Sequence, residues 1–379
     1  MIESALAGAV IESALAGAEI DGILEAQARR AGFACFCHLC FRSPFFAIPT
    51  AMPTTTTTAN GITIAIETAG DPRATPVLLV MGLGMQLTAW PEDFVDGLVD
   101  LGYFVIRFDH RDCGLSTKLS GAGKPNLTLA LLKAALRLPV RAPYCLAEMA
   151  GDALAVLDAL GVARAHVVGV SMGGMIAQHL AAAHPQRVIS LTIIMSSSGR
   201  RGLPGPTRAA RAALLRPMPR TRAAARAGAA ARLAEQVALV EHLAGVLRVI
   251  GSPAYPIPER HLRERLLAAV TRNVCPDGVM RQLDAIVADG SREALLRRIA
   301  CPTLVIHGAA DPLVPAACGA DTAALVPGAR LEIIEGMGHD LPPQLVERLL
   351  ALIDTHARGK MAADPLTRLF ERPQGSLPS

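Results

Sequence analysis

Aromatic residues are scarce in this chain: phenylalanine, tyrosine and tryptophan make up 3% of its 379 residues, and there is one tryptophan. Proteins that bind single-stranded nucleic acid combine basic residues with aromatic side chains on which the bases stack. This chain lacks that combination, and its formal net charge of +4 is modest. We therefore predict no nucleic-acid partner.

Long uncharged apolar runs are missing as well. No such run reaches the length of about 18 residues that a membrane-spanning helix requires, so no transmembrane segment is predicted. Apolar residues nevertheless make up 51% of the chain, enough for a large buried core. Of the eight cysteines, five are scattered through separate hydrophobic segments. Such scattering is typical of reduced core thiols and not of a disulfide framework, which favours a cytoplasmic location.

Residues 1–58 are predicted to be a poorly ordered N-terminal extension and linker. The octapeptide IESALAGA occurs at 2–9 and again at 11–18, and its glutamates are unlike the basic start of a signal peptide. An apolar stretch follows Arg29 and Arg30, so export remains the alternative to a cytoplasmic location. Residues 49–60, with five consecutive threonines, have the composition of a linker.

One cluster of potential metal ligands lies in this extension: Cys35, Cys37, His38 and Cys40. The pattern C-x-C-H-x-C lacks the paired spacing of common zinc sites, and no second half follows at a distance. We therefore predict that the protein binds no metal.

From Ala59 onward, short apolar segments alternate with segments of helical periodicity. Strands are predicted at 62–67, 76–81, 103–108, 165–170, 188–195, 303–307 and 330–334, and helices at 91–101, 146–160, 172–183, 316–325 and 342–355. This alternation predicts an α/β fold with a mostly parallel, doubly wound sheet covered on both faces. The core should comprise residues 59–195 and 301–357, with a disordered tail at 358–379.

The alternation is interrupted at 196–300, a segment nearly free of strand patterns. It is rich in alanine and proline and carries nine arginines between Arg200 and Arg232. We predict a helical cap over the sheet, with its arginines in solvent. The alternative is a basic surface for anionic lipid or nucleic acid.

A nucleophile is predicted at Ser171. The sequence Gly169-Val170-Ser171-Met172-Gly173 has a strand pattern before it and a helix pattern after it. In that context G-x-S-x-G forms a sharp turn that holds the serine hydroxyl clear of the sheet. The N–H groups at the start of the following helix would face an anion formed there.

A serine needs a base, and the base needs an orienting acid. Among ten histidines only His339 lies in a loop between the last strand and the last helix. The acid should stand at the carboxyl edge of the sheet, where Asp311 follows a strand. His307 is interpreted as a core or supporting residue, and His110 only as a lining candidate.

Two backbone donors for the developing oxyanion are predicted from the same edge of the sheet. One is the N–H of Met172 at the head of the helix, and the other is the N–H of Leu83, between two glycines. The residues predicted to bind substrate, which would line an apolar acyl pocket, are Gly82, Gly84, Met85, Trp90 and Met175.

Five motifs occur in the order of one family: VLLVMGLGMQLTAW, IRFDHRDCGLST, AHVVGVSMGGMIAQ, PTLVIHGAADPLVP and LEIIEGMGHDLP. With them, residues 59–357 resemble the α/β-hydrolase superfamily, and within it the group of aclacinomycin methylesterase and related carboxylesterases. The resemblance implies a cofactor-independent enzyme with Ser171 as nucleophile, Asp311 as acid and His339 as base, and with Leu83 and Met172 as oxyanion donors.

One position differs from the family pattern, and one matching segment implies no catalytic role. Many relatives carry histidine where this chain has Met81, directly before the glycines of the oxyanion loop. The segment Asp109–Ser116 matches a part of the family that is chiefly structural, so no catalytic role is predicted for its charged residues.

The function predicted from the residues and the resemblance together is a carboxylic-ester hydrolase acting on small to medium apolar esters through a serine acyl-enzyme. A perhydrolase of the haloperoxidase type and a C–C bond hydrolase use similar triads and remain alternatives. An alternative of another class is a non-catalytic binding protein on the same fold. The sequence offers no prediction of the oligomeric state.

Overall fold

The computed structural model describes residues 54–123, 126–217, 219 and 229–359. Several sequence-based predictions concern residues outside these ranges. They are the repeated octapeptide, the possible export signal, the absence of a metal at the cysteine–histidine cluster, Arg220, Arg222 and Arg226 of the insertion, and the tail beyond residue 359.

Eight strands form one sheet in the order β1-β2-β4-β3-β5-β6-β7-β8. The strands are β1 Thr55–Ala59, β2 Ile62–Ala69, β3 Thr75–Val80, β4 Tyr103–Phe108, β5 Ala165–Val170, β6 Val188–Ile194, β7 Thr303–Gly308 and β8 Arg330–Ile334. Among these strands, only the pairs β1/β2 and β2/β4 are antiparallel. The predicted mostly parallel sheet is confirmed. Parallel neighbours need a long crossover connection, and the helices between the strands supply it.

The described helices lie between and beyond these strands. They are α1 Glu92–Asp100, α2 Leu127–Ala135, α3 Leu146–Ala159, α4 Met172–Ala183, α5 Arg208–Leu215, α6 Ala229–Ile250, α7 Glu259–Arg272, α8 Pro276–Asp289, α9 Glu293–Leu296, α10 Ala316–Leu325 and α11 Val346–Ala357. In these ranges, no helix has both the length and the hydropathy that crossing a membrane requires.

The sheet is covered on both faces. On one face α1 and α11 contribute Phe94, Leu98 and Leu349 to a buried cluster with the sheet. On the other face α3 and α4 do the same, with Val156 and Ile176 among the buried residues. This double cover explains why β4, β5 and β7 are buried along their whole length and do not alternate between buried and exposed residues.

Two elements differ from the sequence-based expectation. The threonines predicted to be a linker form β1, which pairs with β2 through a hairpin at Asn60 and Gly61, both with positive φ. Threonine is β-branched and suits an exposed edge strand, and Asn-Gly is a strong hairpin turn. Helix α2 was not predicted; it is capped by the side chain of Asn126, which accepts a hydrogen bond from the Leu129 N–H.

The interruption at 196–300, hereafter the insertion, contains helices α5 to α9 and no strand among its described residues. Helices α6 and α7 pack together through a small core of their own, which includes Leu239, Ala244 and Leu266. The insertion is therefore a helical unit between β6 and β7, placed where it reaches the carboxyl edge of the sheet.

Candidate active site

Ser171 stands at the sharp turn between β5 and α4. Its φ of 54° and ψ of −118° are unusual for a residue with a side chain. The turn is held by its N–H, which donates to Ile194 O at 2.9 Å, and by the Ser196 hydroxyl, which donates to Ser171 O at 2.7 Å. A Cβ on Gly173 would lie 2.6 Å from Met81 O, so the chain passes too close there for any side chain.

His339 meets this serine from the loop between β8 and α11. Its Nε2 lies 3.0 Å from Ser171 Oγ, and its Nδ1 lies 2.7 Å from Asp311 Oδ2. Both side chains are buried or nearly so: His339 is 8% exposed and Asp311 is 5% exposed. The structure thus brings together the three residues that the sequence proposes as nucleophile, base and acid, in one chain of hydrogen bonds.

Asp311 is held as a carboxylate. Burial alone would raise the pKa of its carboxyl, but hydrogen bonds from His307 and His339 and the backbone N–H of Val314 outweigh burial and bring this pKa to about 2. Its Oδ1 accepts from the N–H groups of Leu313 and Val314 at 2.9 and 2.8 Å. These bonds fix the carboxylate and leave Oδ2 for the imidazole.

His307 supports the acid from the end of β7. It is fully buried, its Nε2 donates to Val314 O at 2.7 Å, and the same nitrogen lies 3.5 Å from Asp311 Oδ2. The sequence-based interpretation of His307 as a supporting residue agrees with this position, since it contacts the acid and not the serine.

The loop after β3 carries the predicted oxyanion donor Leu83. A Cβ on Gly82 would lie 3.3 Å from Ser171 Cβ, which places this loop beside the nucleophile. The Met85 N–H donates to Gly82 O at 3.3 Å and closes a turn around Leu83 and Gly84. The Met172 N–H stands at the first position of α4, where it has no intrahelical acceptor.

Gln282 of α8 holds this loop from the insertion. Its Oε1 accepts from the Gly84 N–H at 2.8 Å, and its Nε2 donates to Arg111 O at 2.9 Å, with the side chain fully buried. Gly84 itself has a φ of +67° and packs against Val279. The loop that carries Leu83 is therefore tied to the insertion through one glutamine.

His110 fastens the other end of the same loop. Its Nε2 donates to Met81 O at 2.8 Å, and it is 1% exposed. Burial lowers the pKa of this histidine, so the ring is neutral at neutral pH. It follows β4, the strand beside β3, and its ring bonds the backbone of residue 81. His110 therefore contacts the loop backbone.

The predicted substrate-binding residues lie in different surroundings. Met85 is partly buried beside the loop, and Met175 is 9% exposed on α4. Trp90 is 1% exposed and stacks on Phe94, with ring centroids 5.2 Å apart, within the core. Contacts of these residues, and of Gly82 and Gly84, with a substrate stay predictions.

The segment after β4 joins the insertion to the core through buried ion pairs. Asp109, which is fully buried, accepts from the Leu87 N–H at 2.8 Å and from Arg272 Nη1 at 2.6 Å. Asp112 accepts two hydrogen bonds from Arg281, at 2.8 and 2.7 Å. Burial would raise the pKa of Asp112, but the hydrogen bonds from Arg281 outweigh it and lower this pKa below 3.8.

Gln86 adds a further link, which joins the loop that carries Leu83 to α7. Its Nε2 donates to Ala269 O and to Asn273 O, each at 2.6 Å, and its Oε1 accepts from Arg272 at 2.8 Å. The insertion thus bonds this loop at two places: Gln282 of α8 bonds Gly84, and α7 bonds Gln86.

The loop that carries His339 is also bonded to the insertion. The His339 N–H donates to Ile250 O at 2.7 Å, and the Gly338 N–H donates to the Ser252 hydroxyl at 2.8 Å. The same hydroxyl donates to Asp340 Oδ1. Gly338 therefore allows close approach to Ile250 and Gly251, Gly336 allows close approach to Ala254, and the loop is fixed in the structure.

The three triad candidates were predicted from the sequence, whereas the residues that hold the loop of Leu83 and the segment after β4 were not. Gln86 lies inside the first of the five motifs, whereas Gln282, Arg272 and Arg281 lie in none, and each of the four bonds a partner far away in the chain. Asp109 and Asp112, for which no catalytic role was predicted, are engaged in these ion pairs, and Arg111 of the same segment bonds Asp152 of α3.

Comparisons with known proteins agree with this geometry. Residues 75–343 match the family model described as alpha/beta hydrolase fold. The chain is 33% identical to rhodomycin D methylesterase DauP of Streptomyces sp. (strain C5) over 336 residues, and 33% identical to DnrP of Streptomyces peucetius over 320 residues. Each alignment covers 81% of this chain and 99% of the relative.

A solved structure of similar fold is the meta-cleavage product hydrolase from Pseudomonas fluorescens IP01. The TM-score is 0.61 at 18% identity, and the match covers 80% of this chain and 97% of that one. At that identity the likeness concerns the fold alone.

Proposed function

The chain belongs to the α/β-hydrolase fold family and is an ester hydrolase; on this premise we propose that it cleaves carboxylic methyl esters through an acyl-enzyme on Ser171. The observation that carries the proposal is the continuous hydrogen-bond chain from Ser171 Oγ through His339 to Asp311, with distances of 3.0 and 2.7 Å. The methylesterase relatives support the methyl ester as the bond that is broken.

In the first half of the reaction, Ser171 Oγ attacks the ester carbonyl while its proton passes to His339 Nε2. Asp311, ionised because its pKa is about 2, accepts the hydrogen bond from Nδ1–H and stabilises the imidazolium. The carbonyl oxygen becomes an oxyanion between the N–H groups of Leu83 and Met172. Collapse of the intermediate expels methanol, which takes the proton from His339.

In the second half, water attacks the acyl-enzyme with His339 as base again. The carboxylic acid is released, and the proton returns to Ser171. Neither half changes an oxidation state, because each half transfers the acyl group from one oxygen to another and moves one proton by way of His339.

The substrate is proposed to be apolar on its acyl side. Methionines occur at positions 81, 85, 172 and 175, next to the proposed oxyanion donors and nucleophile in the sequence, and offer adaptable, polarisable side chains. The insertion is proposed to act as the cap of this site, since α7 and α8 bond the loop that carries the oxyanion donor.

The test is covalent labelling and turnover of three proteins: wild type, Ser171→Ala and Ser197→Ala. A fluorophosphonate probe should label Ser171 in wild type and in Ser197→Ala. Ser171→Ala should fold normally, escape labelling and lose on the order of a millionfold in kcat on a methyl ester.

Ser197 is the matched control, because it lies at the same sheet edge and is also partly exposed. Labelling at Ser196, Ser197 or Ser198, or retained turnover in Ser171→Ala, would show that the nucleophile is another residue. A folded wild type that neither reacts with the probe nor hydrolyses any ester would favour the non-catalytic alternative.

A further inference from the structure

An unusual set of leucines lies exposed on α2 and the turn that follows it. Five leucines between positions 129 and 138 have 46–61% of their surface exposed: Leu129, Leu131, Leu132, Leu136 and Leu138. Isolated exposed leucines are ordinary, but five in ten consecutive residues form a contiguous apolar patch, which on a protein surface indicates a site of interaction.

The patch, hereafter the leucine patch, is presented by an ordered element. Helix α2 packs against α8 and buries Ala130. Its end is closed by the Arg137 N–H, which donates to Ala134 O at 3.2 Å, and the Leu138 N–H, which donates to Lys133 O at 2.8 Å. Arg137 has a φ of 61°, as in a left-handed helix cap, so the last two leucines are fixed beside the helix.

The charged residues that flank the leucine patch in the sequence are all of one sign. From residue 113 to residue 147 the sequence contains no aspartate or glutamate and five cations. Three of them, Lys133, Arg137 and Arg141, lie within or next to the patch, and none forms an ion pair with an acidic residue of the described ranges. Leucines flanked by unpaired cations complement a surface with an apolar interior and anionic headgroups.

We propose that the leucine patch docks the protein on an anionic lipid surface, with the leucines entering the interface and the cations contacting the headgroups. A helix of nine residues is far too short to cross a bilayer, so it would lie in the plane of the interface. The Arg-rich part of the insertion is a separate region and, among its described residues, has no comparable cluster of exposed leucines.

Docking at this place has a geometric consequence for the site. Helix α2 packs on α8, and α8 holds the oxyanion loop through Gln282. The lipid surface would therefore lie on the same side of the molecule as the insertion helix nearest to the proposed oxyanion hole. The docking itself goes beyond the proposed function and is measured without turnover.

The experiment is co-sedimentation of the full chain with vesicles of phosphatidylcholine alone or mixed with phosphatidylglycerol. The triple variant Leu129→Gln/Leu132→Gln/Leu136→Gln is compared with a matched triple on other elements, Leu214→Gln/Leu267→Gln/Leu331→Gln, whose leucines are 38–42% exposed. A charge variant, Lys133→Glu/Arg137→Glu, is compared with the charge-keeping Lys133→Arg/Arg137→Lys.

We expect wild type to bind the mixed vesicles and to bind phosphatidylcholine alone at least about tenfold more weakly, because each cation near an anionic surface contributes roughly fivefold. The leucine variant and the charge-reversal variant should each bind the mixed vesicles at least about tenfold more weakly than wild type. Both matched controls should bind as wild type does.

Three results would overturn the proposal. The first is wild type that does not sediment with mixed vesicles. The second is a leucine variant that binds as tightly as wild type. The third is concentration-dependent self-association that the leucine variant abolishes while vesicle binding is absent, because the patch would then be an interface with a second copy. Circular dichroism of each variant separates loss of binding from loss of fold.

Discussion

Replacing Gln282 by methionine tests whether the insertion positions the oxyanion hole. The side chain is fully buried, and its two ends bond the Gly84 N–H at 2.8 Å and the Arg111 carbonyl at 2.9 Å. Methionine has a similar length and volume but offers neither group. The variant therefore leaves one buried donor and one buried acceptor without partners.

The magnitude follows from those two groups. An unsatisfied buried polar group costs about 1–3 kcal/mol, so the free energy of unfolding should fall by roughly 2–6 kcal/mol. Catalysis should suffer separately, because Gly84 follows Leu83 and its freed N–H would turn to find another acceptor. Loss of one oxyanion donor costs about 10²–10³ in kcat, which sets the upper limit of the effect, and KM should change little.

Gln178→Met is the matched control. Gln178 is also fully buried and also makes two hydrogen bonds, donating to Ser197 O at 3.2 Å and accepting from Arg292 at 2.8 Å. It does not contact the loop that carries Leu83. We expect a similar loss of stability in this control and a much smaller loss of kcat.

The assay combines urea denaturation with steady-state kinetics on one methyl ester. If Gln282→Met keeps the wild-type kcat while losing stability, the oxyanion loop does not depend on this bond. If its stability is unchanged, the cost assigned to the two buried groups is wrong.

Two further predictions concern Asp311, the proposed acid, and the turn at Gly173. The pKa of Asp311 is about 2 in the folded state against an ordinary value of 3.8 in the unfolded chain, so its ionisation should add about 2 kcal/mol to the free energy of unfolding above pH 4–5. That contribution should disappear as the pH falls from about 4 to about 2, and in Asp311→Asn it should be absent; urea denaturation of both proteins at a series of pH values measures it. Gly173→Ala should destabilise the fold strongly, because the new Cβ meets Met81 O at 2.6 Å, whereas Gly245→Ala, in open space on α6, should raise the melting temperature slightly. Thermal melts of the pair decide the point, and equal melting temperatures would contradict it.

Much of the fold could be predicted from local patterns. Most of the six parallel strands are largely apolar segments bounded by turn residues. Because helices lie between them along the chain, these strands predict a mostly parallel sheet. Strand β1 was missed because a run of threonines has the composition of a linker. It becomes a strand because the Asn60-Gly61 turn brings it beside β2. Helix α2 was missed because LTLALLKAA has no polar face, so its pattern lacks amphipathic periodicity.

The triad candidates could be predicted because each lies directly after a strand of a parallel sheet, where chain order fixes the neighbourhood. The supporting residues could not. Gln282 is 198 positions from Gly84, and Arg281 is 169 positions from Asp112. Nothing in the local sequence of a glutamine in the middle of a helix specifies such a partner, because the pairing exists only once α8 has packed against the sheet edge.

The ion pairs between the insertion and the segment after β4 restrict how this enzyme can be recombined with its relatives. Arg272 forms an ion pair with Asp109 and Arg281 forms one with Asp112, and both aspartates are buried in the sheet domain. A chimera that imported a foreign insertion alone would leave one or both carboxylates without a counter-ion, at a cost of about 3–5 kcal/mol for each. The insertion and residues 109–112 therefore form one unit of exchange, and a change of substrate range has to come from substitutions within the native helices or from transfer of both segments together.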